Sequence, residues 1–204
     1  MHNNELPQRL SNHLRIQALT LGGFLLLFWV LEILDWLIFD GALNRLGVQP
    51  RTVIGLRGIL LAPFLHGNFA HLIANTLPFL VLGWFVIVQS VRDFWLVTGV
   101  TAVISGLGIW LFGRTNSVHI GASGLVFGYF GFLLLRGYFE RSLRAILWAV
   151  VVVLLYGGML WGVLPLQMGV SWQAHLFGFI GGGVAAYWRT RQPQDLERQI
   201  ILRR

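Results

Sequence analysis

The chain contains no cysteine and no lysine, and it carries few charges of either sign. Without cysteine there is neither a disulfide framework nor thiolate chemistry, and nothing marks a redox compartment. Without lysine, every one of the 15 basic side chains is an arginine. Charged residues make up 11% of the 204 positions and hydrophobic residues 56%, where an ordinary soluble domain carries about 25% charged residues. With a mean hydropathy of +0.70, a soluble globular fold is excluded. The length fits about one domain, or up to about six or seven spans of roughly 20 apolar residues. The net charge of +7 therefore reads first as membrane topology and contact with lipid headgroups. Nucleic acid is not an expected partner, because the arginines are scattered over loops and tails and do not gather on one soluble face.

What the chain does have is six apolar segments, at about 16–39, 72–91, 94–112, 120–139, 145–166 and 172–188. Each approaches the length needed to cross a hydrocarbon core about 30 Å thick. The pattern predicts an all-α polytopic membrane protein with six transmembrane helices. It divides into a cytoplasmic N-terminal segment (1–15), a membrane domain (16–188) and a cytoplasmic tail (189–204). No signal-peptide cleavage pattern precedes the first segment, which is too long for a signal core. With the N-terminus inside, Arg9, Arg15, Arg92, Arg136, Arg141, Arg144 and the five tail arginines are cytoplasmic, and only Arg45, Arg51, Arg57 and Arg114 lie outside. That bias predicts both termini in the cytoplasm. The linker 40–71 is long and half apolar, as expected of a segment lying in the outer interface with short helical pieces.

On this topology the second, fourth and sixth segments all start at the outer face, and each brings polar residues there: His71 and Asn75, Ser123, and His175. Polar and ionisable groups at membrane depth are costly and face the bundle interior or a wet cavity. Each has a plain structural reading alone. A serine packs and hydrogen-bonds at helix interfaces, and His71 with Asn75, at i and i+4, can stitch one helix face to a neighbour. Together they match a chemistry. A serine hydroxyl needs a base to become a nucleophile, histidine is the usual one, and the oxyanion needs fixed donors. His71, Asn75 and the free backbone N–H groups at the start of the fourth helix are candidates. Gly121 and Gly124 allow a tight turn and close approach beside Ser123, and Gly178 and Gly182 allow the sixth helix to pack backbone to backbone. No carboxylate occurs in segments two to six, so the arrangement reads as a dyad. His66 and His119 are expected to have interfacial roles. No HExxH or similar ligand spacing is present, so neither a metal nor another cofactor is expected. Asp35 is expected to reach toward headgroups, and Glu32 to pair with a loop arginine.

At "HGNFAHLIANT" (66–76), "GASG" (121–124) and "AHLFGFIGG" (174–182) the chain resembles the rhomboid intramembrane serine proteases. The motifs stand in family order on the expected helices. The resemblance implies a six-helix rhomboid-like bundle that cleaves membrane-anchored substrates. It implies Ser123 as nucleophile, His175 as base, and His71, Asn75 and the Ser123 backbone N–H as oxyanion donors. Phe127 matches a position usually held by a tyrosine stacked on the histidine. The tryptophan–arginine pair that such proteins carry in the first loop is absent, which leaves that loop's anchoring to be explained. Single-span or other membrane proteins and lipid are the implied partners, and a prokaryotic inner membrane the implied location. The rival readings are a catalytically inactive rhomboid-like scaffold that binds membrane-protein clients, and a small transporter or channel. Scaffolds would be expected to lack the serine or the histidine, and no chain of ionisable groups crosses to the other face as a transport path requires.

Overall fold

The computed structural model describes residues 5–166 and 169–191, with side chains from Ser11 onward. Six long helices account for most of it: α1 (Glu5–Leu34), α2 (Phe69–Ile87), α3 (Val91–Phe112), α4 (Ser123–Glu140), α5 (Leu143–Tyr156) and α6 (Trp172–Thr190). Among the described residues there is no β-strand, only an isolated antiparallel bridge between Val48 and His119. The molecule is the all-α polytopic membrane fold that its hydropathy indicated. Among the described residues, four stretches are long and apolar enough to cross a membrane on their own: Ser11–Phe39, Phe69–Ile87, Val91–Phe112 and Leu143–Val163. Helices α4 and α6 are not among them. Both substitute glycine for bulky apolar residues, and both pack so extensively against protein that most of α4 and the glycine face of α6 are buried.

Several boundaries differ from those expected. α1 is already helical at Glu5, the first described residue, well ahead of Ile16, because hydropathy marks the part of a helix that sits in lipid and not the extent of its hydrogen bonds. It runs on through a π-helical segment, Asp35–Phe39, and stops where Asp40 (φ 47°) and Gly41 (φ 78°) turn left-handed. α4 begins at Ser123 and not at Ile120, since Gly121 at φ 114° cannot be helical. α5 tightens into a 3₁₀ helix over Gly157–Val163. Between α1 and α2 the chain forms 3₁₀ turns at Ala42–Leu46, Ile54–Arg57 and Ala62–Phe64, and one α-turn at Gly58–Leu61. The tail beyond Arg191 lies outside the described residues.

Glu32 of α1 and Asp35 of the π-helical segment correct their expected roles. Asp35 does not reach for headgroups: it is buried, and its Oδ1 accepts from Leu43 N at 2.8 Å, closing the turn after α1. Glu32 is buried, its Oε2 has no hydrogen-bond partner, and it forms no ion pair with a loop arginine. Arg51 and Arg57 instead donate to Leu111 O and Arg45 O.

Within lipid, helices gain little from leaving one apolar surface for another, so close packing and polar ties hold the bundle together. α4 and α6 meet along glycines. A Cβ on Gly178 would run into the Gly124 carbonyl, one on Gly182 into the Gly128 carbonyl, and one on Gly131 into the Phe179 carbonyl. Beside this seam Phe24, Phe28, Phe79, Phe94 and Tyr129 form an aromatic core, with ring centroids 5.0–6.2 Å apart. The fully buried Tyr129 hydroxyl donates to Thr98 Oγ1 at 2.9 Å, since Thr98 spends its own hydrogen on Phe94 O. At the opposite end of the bundle from Ser123, the buried Asp93 of α3 accepts from Arg189 of α6 at 2.7 Å and from Arg136 of α4 at 3.4 Å. The three helix ends are thereby clamped.

These contacts make the glycine seam testable. Gly182→Ala should lower stability in detergent by about 1–3 kcal/mol through overpacking. Gly22→Ala, on α1 where nothing lies within 4 Å, should be neutral or stabilise by up to about 1 kcal/mol, the usual helical gain over glycine. Equilibrium unfolding in mixed detergent micelles measures both.

Candidate active site

The starts of α2, α4 and α6 gather at one end of the bundle, and the loops there are hydrogen-bonded into a single unit. Val48 and His119 exchange two backbone bonds at 2.9 and 3.0 Å, and Gly121 N donates to Ala62 O at 2.9 Å. Gly121 is glycine for two reasons. Its φ of 114° is closed to other residues, and a Cβ would lie 2.7 Å from both Cε1 and Nε2 of His71. The backbone just ahead of Ser123 therefore lies directly against the His71 imidazole, with Asn75 Nδ2 next nearest. Asn68 caps α2, its side chain accepting from His71 N at 2.8 Å. Asn75 is buried one turn on and donates to His71 O at 3.0 Å; its amide nitrogen carries a second hydrogen that this bond does not use.

His175 lies in the first turns of α6 and is buried. Its ring stacks flat on Phe127, with centroids 4.1 Å apart and planes 9° from parallel. Phe127 is one helical turn beyond Ser123, so His175 packs on the face of α4 that starts with Ser123. Its Nδ1 lies 2.9 Å from Gly162 O. A carbonyl only accepts, so Nδ1 carries the proton of the neutral ring and Nε2 keeps its lone pair. Gly162 must be small: a Cβ there would stand 2.8 Å from Phe127 and 3.3 Å from His175 Nδ1. Ser123 is half-buried, and no hydrogen bond joins its hydroxyl to His175. Such bonds are often long in ligand-free sites and shorten when substrate is bound. Gly124 and Gly178 bring α4 and α6 together beside the pair, and Ser105 Oγ donates to Ala174 O at 3.0 Å, tying the start of α6 to α3.

The structure thus brings His71, Asn75, Gly121, Ser123, Gly124, Phe127, His175 and Gly178 to one place, while Gly182 lies one turn deeper on the seam. Sequence reasoning did not find Gly162. Its only mark is the glycine cluster "YGGMLWG" after an otherwise apolar run. Nor did it find how the first loop is held. Arg51, at φ 58°, donates from its backbone to Trp110 O at 3.0 Å, from Nη1 to Leu111 O at 2.9 Å and from Nη2 to Thr115 Oγ1 at 2.6 Å. Trp110 returns a bond from Nε1 to Thr52 O at 2.8 Å. The tryptophan missing from the loop is supplied by the end of α3. His66 is not interfacial but buried, at a ring distance of 5.2 Å from His71 and 5.5 Å from Phe28. Among the described residues no three His, Cys, Asp or Glu side chains could hold a metal ion.

A family model described as the rhomboid domain matches residues 55–192, from the first loop to the end of α6. The chain belongs to the rhomboid family. This rhomboid is 42% identical over 176 residues to the uncharacterized protein Rv1337 of Mycobacterium tuberculosis, covering 82% of the present chain and 73% of the relative. It is 39% identical over 180 residues to ML1171 of Mycobacterium leprae, 84% and 71% of the two chains. It is 27% identical over 169 residues to YdcA of Bacillus subtilis, a protein that carries a rhomboid protease name, over 77% and 83%. With its apolar helices, the rhomboid is an integral membrane protein that has bacterial relatives.

The loop histidines of this rhomboid make its stability depend on pH. Burial pushes the His66 pKa down to about 3, and the neighbouring His71 adds to the effect while a backbone bond at Phe64 opposes it. Burial also lowers that of His119. The folded His66 ring stays neutral down to about pH 3 and the folded His119 ring is harder to protonate than usual, whereas an unfolded chain takes up a proton near pH 6.5. Stability should therefore be full above about pH 6.5 and fall as the pH drops from there toward 3. The slope from His66 alone should be up to about 1.4 kcal/mol per pH unit. Thermal melts between pH 4 and 7 should show this acid limb, and it should be shallower in His66→Gln.

Proposed function

We propose that this rhomboid is an intramembrane serine endopeptidase that cleaves membrane-anchored proteins with Ser123 as nucleophile and His175 as general base. The observation that carries the reading is the parallel stack of His175 on Phe127 with Nδ1 on the Gly162 carbonyl. It holds the ring on the Ser123 face of α4 with the basic nitrogen, Nε2, left for a hydroxyl. The carbonyl does what a carboxylate does in a triad: it fixes the tautomer and favours the imidazolium that forms.

In this mechanism Nε2 takes the Ser123 proton as Oγ attacks the scissile carbonyl carbon. The negative oxygen is received by the Asn75 amide, the His71 ring and the Ser123 backbone N–H. His175 then gives its proton to the departing amine, leaving an acyl-serine. Water, deprotonated by the same Nε2, hydrolyses that ester and restores the hydroxyl. Both termini lie in the cytoplasm of a prokaryotic cell on this reading, and the site opens toward the outer face. A helical peptide bond is hidden by its own hydrogen bonds, so a substrate must unwind locally before attack. Helix-breaking residues near its outer end should raise kcat/KM, and leucine in their place should lower it.

A fluorophosphonate probe tests the dyad. Wild type should label at Ser123, and both Ser123→Ala and His175→Ala should abolish labelling, since nucleophile and base act as a unit. Asn75→Ala should cut turnover of a single-span substrate by about a hundredfold or less. Loss of one oxyanion donor costs about 10²–10³ elsewhere, and two further donors remain here. Labelling that survives in His175→Ala rejects the dyad. A folded wild type that neither labels nor cleaves is instead a scaffold for membrane-protein clients.

A further inference from the structure

We infer that His119 is a positioning residue: through Ser171 it sets where α6 begins relative to α4, and so where His175 sits relative to Ser123. The catalytic part of this inference rests on the function proposed above; the geometric part does not.

The backbone of His119 is fixed by its two bonds to Val48. Its side chain bridges two serines, with Nδ1 2.7 Å from Ser171 Oγ and Nε2 2.9 Å from Ser117 Oγ. Ser171 is the N-cap of α6, and its Oγ accepts from Ala174 N at 3.4 Å. His119 stands four residues ahead of Ser123, and Ser171 stands four residues ahead of His175. One side-chain hydrogen bond thus joins the two chain segments that lead into the serine and the histidine.

The proton positions follow from the partners. Ser117 donates its hydrogen to Arg114 O, so its oxygen accepts from Nε2–H. His119 Nδ1 is then unprotonated and accepts from the Ser171 hydroxyl, whose oxygen still caps Ala174 N. The neutral ring satisfies every group in the chain. The other ties act at different places: Gly162 O and Phe127 orient the His175 ring, and Asp93 joins the far ends of α4 and α6. Ser105 holds α6 to α3, not to α4. The Phe127–His175 stack and the Phe130–Phe179 contact pack the helices side by side further along, but neither joins the segments that lead into α4 and α6. A displacement of about 1 Å in a reacting group can cost about a hundredfold in rate.

The test compares His119→Gln, which cannot reach Ser171 as Nδ1 does, with His119→Asn, whose Oδ1 takes the place of Nδ1. His119→Gln and Ser171→Ala should each lower kcat by about ten- to a hundredfold, with KM changed by less than about twofold. His119→Asn should keep most of the activity. The His119→Gln/Ser171→Ala double variant should be no slower than the worse single one, a coupling from which loss of the α6 cap cancels. Nitrogen-15 spectra of histidine-labelled protein should show His119 protonated at Nε2. The His175 resonances should move in His119→Gln and Ser171→Ala but not in Ser117→Ala. Equal activity of the Asn and Gln variants, or unmoved His175 resonances, overturns the inference. If wild type neither labels nor turns over, the proposed function fails, and the His175 resonances still decide the positioning role. If His119→Gln does not fold, Ser171→Ala gives the same readings.

Discussion

The contact on which the rest depends is the approach of α4 and α6 to backbone distance. Ser123 and His175 stand 52 residues apart in sequence, and only a glycine seam lets their helices come to backbone distance. Gly124 faces Gly178, and Gly128 faces Gly182. A side chain on Gly178 or Gly182 would hold the backbones apart, and no rotamer change could compensate, because the opposing atoms are the Gly124 and Gly128 carbonyl oxygens; a Cβ on Gly124 or Gly128 would instead meet Ser105 or Thr101 of α3. The low hydropathy of both helices is a consequence. They give up lipid-compatible bulk for proximity, and α1, α2, α3 and α5 supply the apolar surface.

Polar groups then convert proximity into geometry. At one end, Asp93 gathers Arg136 and Arg189 and fixes the far ends of α3, α4 and α6. At the other, a network of loop contacts holds the helix starts: Arg51 with Trp110 and Thr115, Val48 with His119, and Ala62 with Gly121. Between these clamps the middle of the bundle is aromatic and glycine-packed. The arrangement suits a membrane, where an unsatisfied buried polar group costs more than the packing around it returns. Glu32, whose buried Oε2 is among the few such atoms left without a partner among the described residues, lies on α1, ahead of the part of the chain that the family model matches.

The site itself is built from neutral parts. Burial pushes the His66 pKa down to about 3 and lowers that of His119, and the His175 ring leans on the Gly162 carbonyl and not on a carboxylate. That substitution is understandable at this depth. A buried carboxylate would need a full complement of partners, whereas a carbonyl orients the ring without adding a net charge to desolvate.

The sequence by itself determined the membrane class, the rhomboid motifs and their order, because hydropathy, arginine bias and short motifs are local properties of the chain. "GASG" already says that a tight turn precedes a serine, and a histidine in an apolar helix already says that something polar faces it. The helix start at Ser123, the 3₁₀ close of α5, the cap made by Asp35, and the partners of Arg51, His119 and His175 were decided only by tertiary structure. Each depends on atoms brought together from distant positions: Gly162 reaches His175 across 13 residues, His119 reaches Ser171 across 52, and Arg51 reaches Thr115 across 64. No periodicity in one segment encodes which carbonyl of another will stand 2.9 Å away. That distance is set by how closely glycine lets two backbones approach.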